Sequence, residues 1–231
     1  MDVTVSTTGY QLEAAVPGPG EHGHRMGCLD ALKPGLARKP DDGYTVCLVV
    51  DTSDPRLRLG SVPARIPILF RFDCEWGRDP LVYWLSPDGR LTILREPWGQ
   101  ILPAALRFKP PWWPPRGDFD ARLVEIPQRL HDLAQKWPRC WYEAEQHLPW
   151  EDIEHVNDIV FFGKPYHQIG GLPFWVQDPL APQCPTCKEP MPFLLSLGSD
   201  NRLGWMFGDC GRLYAFYCAR CCIVVSQAQC T

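Results

Sequence analysis

Two cysteine pairs, Cys184-Pro185-Thr186-Cys187 and Cys218-Ala219-Arg220-Cys221, stand 30 residues apart in a chain of 231. No other feature restricts the fold as much. A C-x-x-C turn aims two thiolates at one ion, and two such knuckles complete the tetrahedral four-sulfur set that Zn2+ prefers. The intervening chain must therefore return on itself. It contains MPFLLSL (191–197) and GRLYAFY (211–217), two strand-like runs able to form a hairpin that brings the knuckles together. The expected product is a zinc ribbon embedded in a sheet, with Cys184, Cys187, Cys218 and Cys221 as ligands. With sulfur in all four positions there is no place for a water, so the ion is expected to be structural.

Two other readings of the pairs compete. A thioredoxin-like redox pair calls for a βαβ pattern, which surrounds neither motif. Buried thiols that bind nothing are the plainer alternative. Cys210, Cys222 and Cys230 complicate the ligand set. Cys222 adjoins Cys221 and a swap is conceivable, but Cys221 alone keeps the two-residue spacing from Cys218; small buried apolar groups are the simpler reading of all three.

The opening MDVTVSTTGYQLEAAVPGPG has neither the basic start nor the apolar core of a signal peptide. No segment approaches the roughly 20 apolar residues of a membrane span. The expectation is a cytoplasmic protein, where thiols stay reduced and paired cysteines serve metals. Hydrophobic residues make up 45% and charged residues 22% of the chain, an ordinary globular balance. A chain of this size buries roughly 70% of its surface without help from a metal. Ten Trp and 25 Pro point to loops, turns and edge strands rather than long helices. The net charge of −4, with Lys and Arg scattered, argues against direct nucleic-acid binding.

Along the chain, residues 1–43 are rich in Gly and Pro breakers and are expected to form an irregular leader. From Tyr44 the pattern turns to β: YTVCLVVD (44–51), RIPILFRFD (65–73), and a hairpin over 81–96 turning at Pro87-Asp88-Gly89. In PQRLHDLAQKW (127–137), Leu130, Leu133, Ala134 and Trp137 recur at helical spacing behind a proline suited to a first turn. Residues 151–162 read as a short acidic-capped helical turn feeding a strand. The expected fold is α+β, mostly antiparallel β with few short helices. It divides into the leader, a β-rich lobe over 44–150 and a cysteine-rich lobe over 151–231, the two lobes forming one integrated unit. No internal repeat is evident by eye.

Motifs of catalysis are missing: there is no H-E-x-x-H, G-x-S-x-G or phosphate-binding loop pattern. Glu151 and His155 could share a helix face, and Cys140 and His147 could be cast as nucleophile and base. A solvated pair and mere sequence proximity explain them as well. PPWWPP (110–115) either displays Trp112 and Trp113 to a partner from a polyproline segment or pins a loop on the protein's own core. Gly170-Gly171 before Pro173 and Trp175 reads as a sharp turn delivering Trp175 to a packed site. A ligand-cradling loop is the alternative, but no helix start follows it.

The stretch HQIGGLPFWVQDPLAPQCPTCKEPMPFLLSL, with GDCGRLYAFYCARC (208–221), resembles the YwqG-like family of bacterial proteins and its eukaryotic relatives, the programmed cell death protein two group, together called the TYPP domain. The resemblance covers about 167–231. It implies a β-rich α+β fold and a non-enzymatic role. Eukaryotic relatives act as chaperones holding a new ribosomal protein, and bacterial members are suspected immunity proteins beside toxins. Some members lack the cysteines, and no family catalytic residues carry over. The expected function is protein binding: a bacterial immunity protein occluding a basic toxin, with a chaperone for a basic ribosomal client, or an enzyme with an unrecognised site, as alternatives.

Overall fold

The computed structural model describes residues 8–15, 23–26, 44–59, 63–71, 79–96, 119–137, 147–154, 166–200, 202–203, 205–208 and 211–230. Its strands are β1 (Gly9–Ala15), β2 (Arg25–Met26), β3 (Tyr44–Asp51), β4 (Arg65–Arg71), β5 (Leu81–Leu85), β6 (Leu91–Arg95), β7 (Phe119–Glu125), β8 (His167–Gly170), β9 (Phe193–Gly198), β10 (Arg212–Cys218) and β11 (Ile223–Gln229). They form one sheet in the order β4-β3-β2-β7-β1-β8-β9-β10-β11-β5-β6, antiparallel at each pairing. Helix α1 (Gln128–Lys136) and a helical turn over 150–154 accompany it. This is the expected α+β class, mostly antiparallel β.

Burial explains the elements. β3 takes YTVCLVVD residue for residue, with its six central positions buried, as a continuous apolar run in a covered strand requires. β10 is buried at all seven positions and divides its side chains by the period of two. Leu213, Ala215 and Tyr217 enter the main core, whereas Tyr214, Phe216 and Cys218 enter a second cluster on the opposite face. The sheet curls so that β4, first in its order, meets β5 and β11. Tyr83 donates to Pro67 O at 2.6 Å and Ser226 Oγ to Leu69 O at 3.2 Å. On helix α1, Leu133 and Ala134 are buried with Ile126, Tyr166, Phe174 and Val176.

Two expectations need correction. The first 43 residues are not irregular where they are described. They supply β1 and β2, and β1 lies mid-sheet, with Leu12 opposite Leu123 on one side and His167 on the other. GYQLEAA escaped notice because its middle carries a single large apolar residue between Gln and Glu, and its partners lie more than 100 positions away. The sheet runs across positions 43 and 150, since β1 pairs with β8 and β5 with β11.

The second concerns repetition. The strand order is symmetric about the β7–β1 pair: β7-β2-β3-β4 runs one way and β1-β8-β9-β10 the other. Equivalent places carry matching residues. His24-Arg25-Met26 answers His167-Gln168-Ile169, and Ser53, Asp54, Arg56 and Leu57 answer Ser199, Asp200, Arg202 and Leu203. In both copies the Asp carbonyl accepts from the Leu N–H at 3.1 Å. The internal repeat is real, but too few letters persist for the eye to find it.

Candidate metal centre

The first knuckle is a turn closed upon itself. Cys184 N donates to Glu189 O and Lys188 N to Cys184 O, each at 2.9 Å, while Gln183 and Pro190 form an isolated bridge around them. The second knuckle is the turn of the β10–β11 hairpin, where Cys218 pairs with Ile223 and Cys221 N donates to Cys218 O at 3.2 Å. Both knuckles end alike. Lys188 and Cys222, each following the second cysteine of its pair, adopt the left-handed conformation, with φ of 64° and 53°. That reversal turns the chain back after the second thiol and is unusual for residues with a side chain.

β9 and β10 account for the 30-residue gap. They pair antiparallel from Arg212–Gly198 to Phe216–Phe193, so the chain leaving the first knuckle runs out along β9 and returns along β10 to the second. The sulfur atoms of Cys184, Cys187, Cys218 and Cys221 lie within 4.8 Å of one another. Cys187 Sγ and Cys218 Sγ are 3.8 Å apart across the knuckles. A tetrahedron with Zn–S bonds of about 2.3 Å has edges of about 3.8 Å, so the spacing fits an ion of that size. Cys184 and Cys218 are buried; Cys187 and Cys221 are half-buried at the rim. The backbone N–H of Glu189 lowers the Cys187 thiol to about 7, whereas burial raises Cys218 to about 12 and also raises Cys221. A cation among them would offset the cost of ionising the buried thiols. The four residues could hold a metal ion.

Trp175 packs beside this cluster. Its ring stacks on Tyr214 at 4.8 Å between centroids and lies 6.4 Å from Phe216, in the apolar group that also includes Cys184, Met191 and Cys218. Tyr214 fixes the approach by donating to Phe174 O at 2.7 Å and accepting from Val176 N at 3.0 Å. Upstream, Gly170 and Gly171 have φ of +67° and +68°. A Cβ on Gly171 would stand 2.8 Å from Gly9 Cα, so the turn needs glycine for its angles and for room against β1. Pro173 follows, half-buried. Gly170, Gly171, Pro173 and Trp175 thus lead from the end of β8 to the packed ring.

Cys222 and Cys230 lie outside the sulfur group. Trp112, Trp113, Cys140, His155 and Cys210 fall outside the described residues. The sequence reading missed the two buried His–Asp–Arg clusters. His24 Nε2 lies 3.0 Å from Asp54 Oδ2 and His167 Nε2 lies 3.2 Å from Asp200 Oδ2; Arg56 and Arg202 bind the same carboxylates. The signal available was the recurring S-D-x-R-L.

A family model described as a domain of unknown function, DUF1963, matches residues 76–219, well over half of the chain. The chain belongs to this family. A 70-residue stretch, 30% of the chain, is 36% identical to the uncharacterized protein YpfL of Salmonella typhimurium. That stretch covers only 16% of YpfL. The DUF1963 match includes all of the first knuckle and Cys218 of the second, so the candidate site straddles the end of the matched region.

Proposed function

We propose that this DUF1963 protein is a non-enzymatic, zinc-stabilised protein-binding protein of the cytoplasm. The observation that carries the reading is the closed four-thiolate cluster. Four sulfur donors select Zn2+ among common divalent ions and leave it no open position for substrate, so the ion serves the fold. The buried His24, Asp54, His167 and Asp200 are likewise engaged in ties between strands and turns, which suits a scaffold. Among the described residues, Trp84, Leu94, Trp150 and Leu172 are exposed and available as apolar anchors.

The most concrete form is a bacterial immunity protein that occludes a basic toxin, steered by the net charge of −4. The YwqG-like resemblance over 167–231 supports this and equally a chaperone for a basic ribosomal protein. Affinity capture of the tagged protein from its native cells, with mass spectrometry and metal analysis of the same eluate, tests both. One stoichiometric basic partner with a single zinc per chain is expected. Zinc absent and no partner would overturn the reading. The partner's identity separates toxin from ribosomal client.

A further inference from the structure

The first knuckle depends on a cross-link. The backbone hydrogen bonds described for its turn close within 182–191: Cys184 N to Glu189 O, Lys188 N to Cys184 O and Met191 N to Pro182 O. The next such bond to the hairpin comes only at Pro192, whose carbonyl accepts from Tyr217 N at 3.1 Å. The sulfur cluster and the packing of Leu180, Cys184 and Met191 thus hold the turn against β10 and β11. Oxidation within each C-x-x-C would cut the sulfur link, whereas oxidation between the knuckles would preserve it.

We propose that the cluster is also a redox latch, in which a disulfide between Cys187 and Cys218 takes over the clamp when the metal is lost. Cys187 is at the half-buried rim, where an oxidant reaches it, and its sulfur lies 3.8 Å from that of Cys218. With a peroxide as oxidant, the Cys187 thiolate takes one oxygen to become a sulfenic acid and hydroxide departs. The Cys218 thiol then bonds through its sulfur to that of Cys187, its proton joins the departing hydroxyl, and the S–S bond forms as water leaves. One thiolate and one thiol lose two electrons between them to form the disulfide, and one peroxide is reduced to hydroxide and water.

The latch rests on the metal reading only for its resting state, so the decisive experiment uses full-length chain stripped of metal by a chelator. One equivalent of hydrogen peroxide is added, free thiols are alkylated, and the unreduced protein is digested with trypsin, which places Cys218 alone in the fragment 213–220. Two thiols should disappear, and fragment 213–220 should be joined to the fragment bearing Cys187. The link should persist in Cys184→Ser and vanish in Cys187→Ser. The oxidised chain should melt about 5–10 °C above the reduced, metal-free chain. Cys218 joined to Cys221, Cys184 joined to Cys187, or no loss of thiols would overturn the latch. If the stripped chain unfolds, peroxide titration of the protein as isolated reads the same link. Protein that is already free of metal when first purified, before any chelator, and still forms the link would overturn the zinc reading and leave the latch standing.

Discussion

His24 and Asp54 meet at 3.0 Å inside the fold, and the direction of each bond shows which proton is where. Asp51 N donates to His24 Nδ1 at 3.0 Å, so that nitrogen is unprotonated and Nε2 carries the hydrogen given to Asp54. Burial lowers the affinity of His24 for a second proton. Asp54 stays ionised against the cost of its burial because Arg56 and His24 hydrogen-bond to it. His167, Asp200 and Arg202 repeat the contacts to the carboxylate, though His167 Nδ1 is buried with no hydrogen-bond partner among the described residues, and again the histidine is lowered by burial and the carboxyl lies far below its ordinary range. Each cluster ties the start of a short strand, at His24 or His167, to a turn, and Asp200 is also bridged to Trp205 by two backbone hydrogen bonds at 2.9 Å.

Replacing Asp54 or Asp200 with Ala leaves a buried histidine and a backbone N–H without their acceptor. Each variant should lose about 3 kcal/mol of stability, which for a chain of this size lowers Tm by roughly 6–12 °C. Arg56→Ala and Arg202→Ala should cost less, because these guanidinium groups are partly exposed and screened by solvent. Thermal melts followed by circular dichroism compare the four. Equal losses from the Asp and Arg variants would contradict the assignment.

Stability should fall as the solution is acidified below about pH 6.5, the ordinary histidine value. The sign follows from linkage. A histidine whose folded pKa is depressed binds its proton more readily when unfolded, so its contribution is complete above the unfolded value and is lost as pH drops through the folded one. Asp54 and Asp200, also depressed, extend the loss below about pH 4. Chemical denaturation from pH 8 to pH 4 measures the slope, and His24→Gln with His167→Gln should flatten its upper part.

Cys184→Ser should abolish stoichiometric zinc and lower Tm, since metal binding energy becomes folding energy in such a site. Chelation of the unaltered protein should do the same, and zinc should reverse it. Cys222→Ser and Cys230→Ser should retain full metal. Elemental analysis beside calorimetry decides; a Cys184→Ser chain with unchanged metal and Tm would show that the ligand set is wrong.

Leu12→Ala should cost about 2–5 kcal/mol, because Leu12 is 1% exposed and fills the main core from a central strand. Removal of residues 1–15 should abolish cooperative unfolding by leaving β7 and β8 without the strand between them. Urea denaturation of the two altered chains tests this; a truncated chain that unfolds like the full one would disprove the role of β1.

Gly171→Ala forces a side chain into the left-handed region and against Gly9 Cα. A loss of about 2 kcal/mol is expected, read as a lower urea midpoint at unchanged slope.

Local patterns were legible where local physics suffices. The apolar run 44–51, the Pro-Asp-Gly hairpin, the helical period of Leu130, Leu133 and Ala134, and the two C-x-x-C turns each carry their cause within a few residues. Knuckle spacing with strand-like runs between also indicated how Cys184 and Cys218 meet. β1 was opaque because a strand with one apolar anchor is stabilised by partners at positions 119–125 and 167–170, which its own letters do not encode. The His–Asp–Arg clusters were opaque for the same reason: His24 and Asp54 are 30 positions apart, and nothing local marks either as buried.

The sequence by itself determined the β-rich class, the turns and four sulfur donors in two preformed knuckles, because these depend on neighbours along the chain. Only the tertiary structure decided that the first residues form a central strand, that two halves repeat one design about the β7–β1 pair, and that four sulfurs share one place. Strand pairing sets all three, and its hydrogen bonds join backbones whose side chains need not announce their partners.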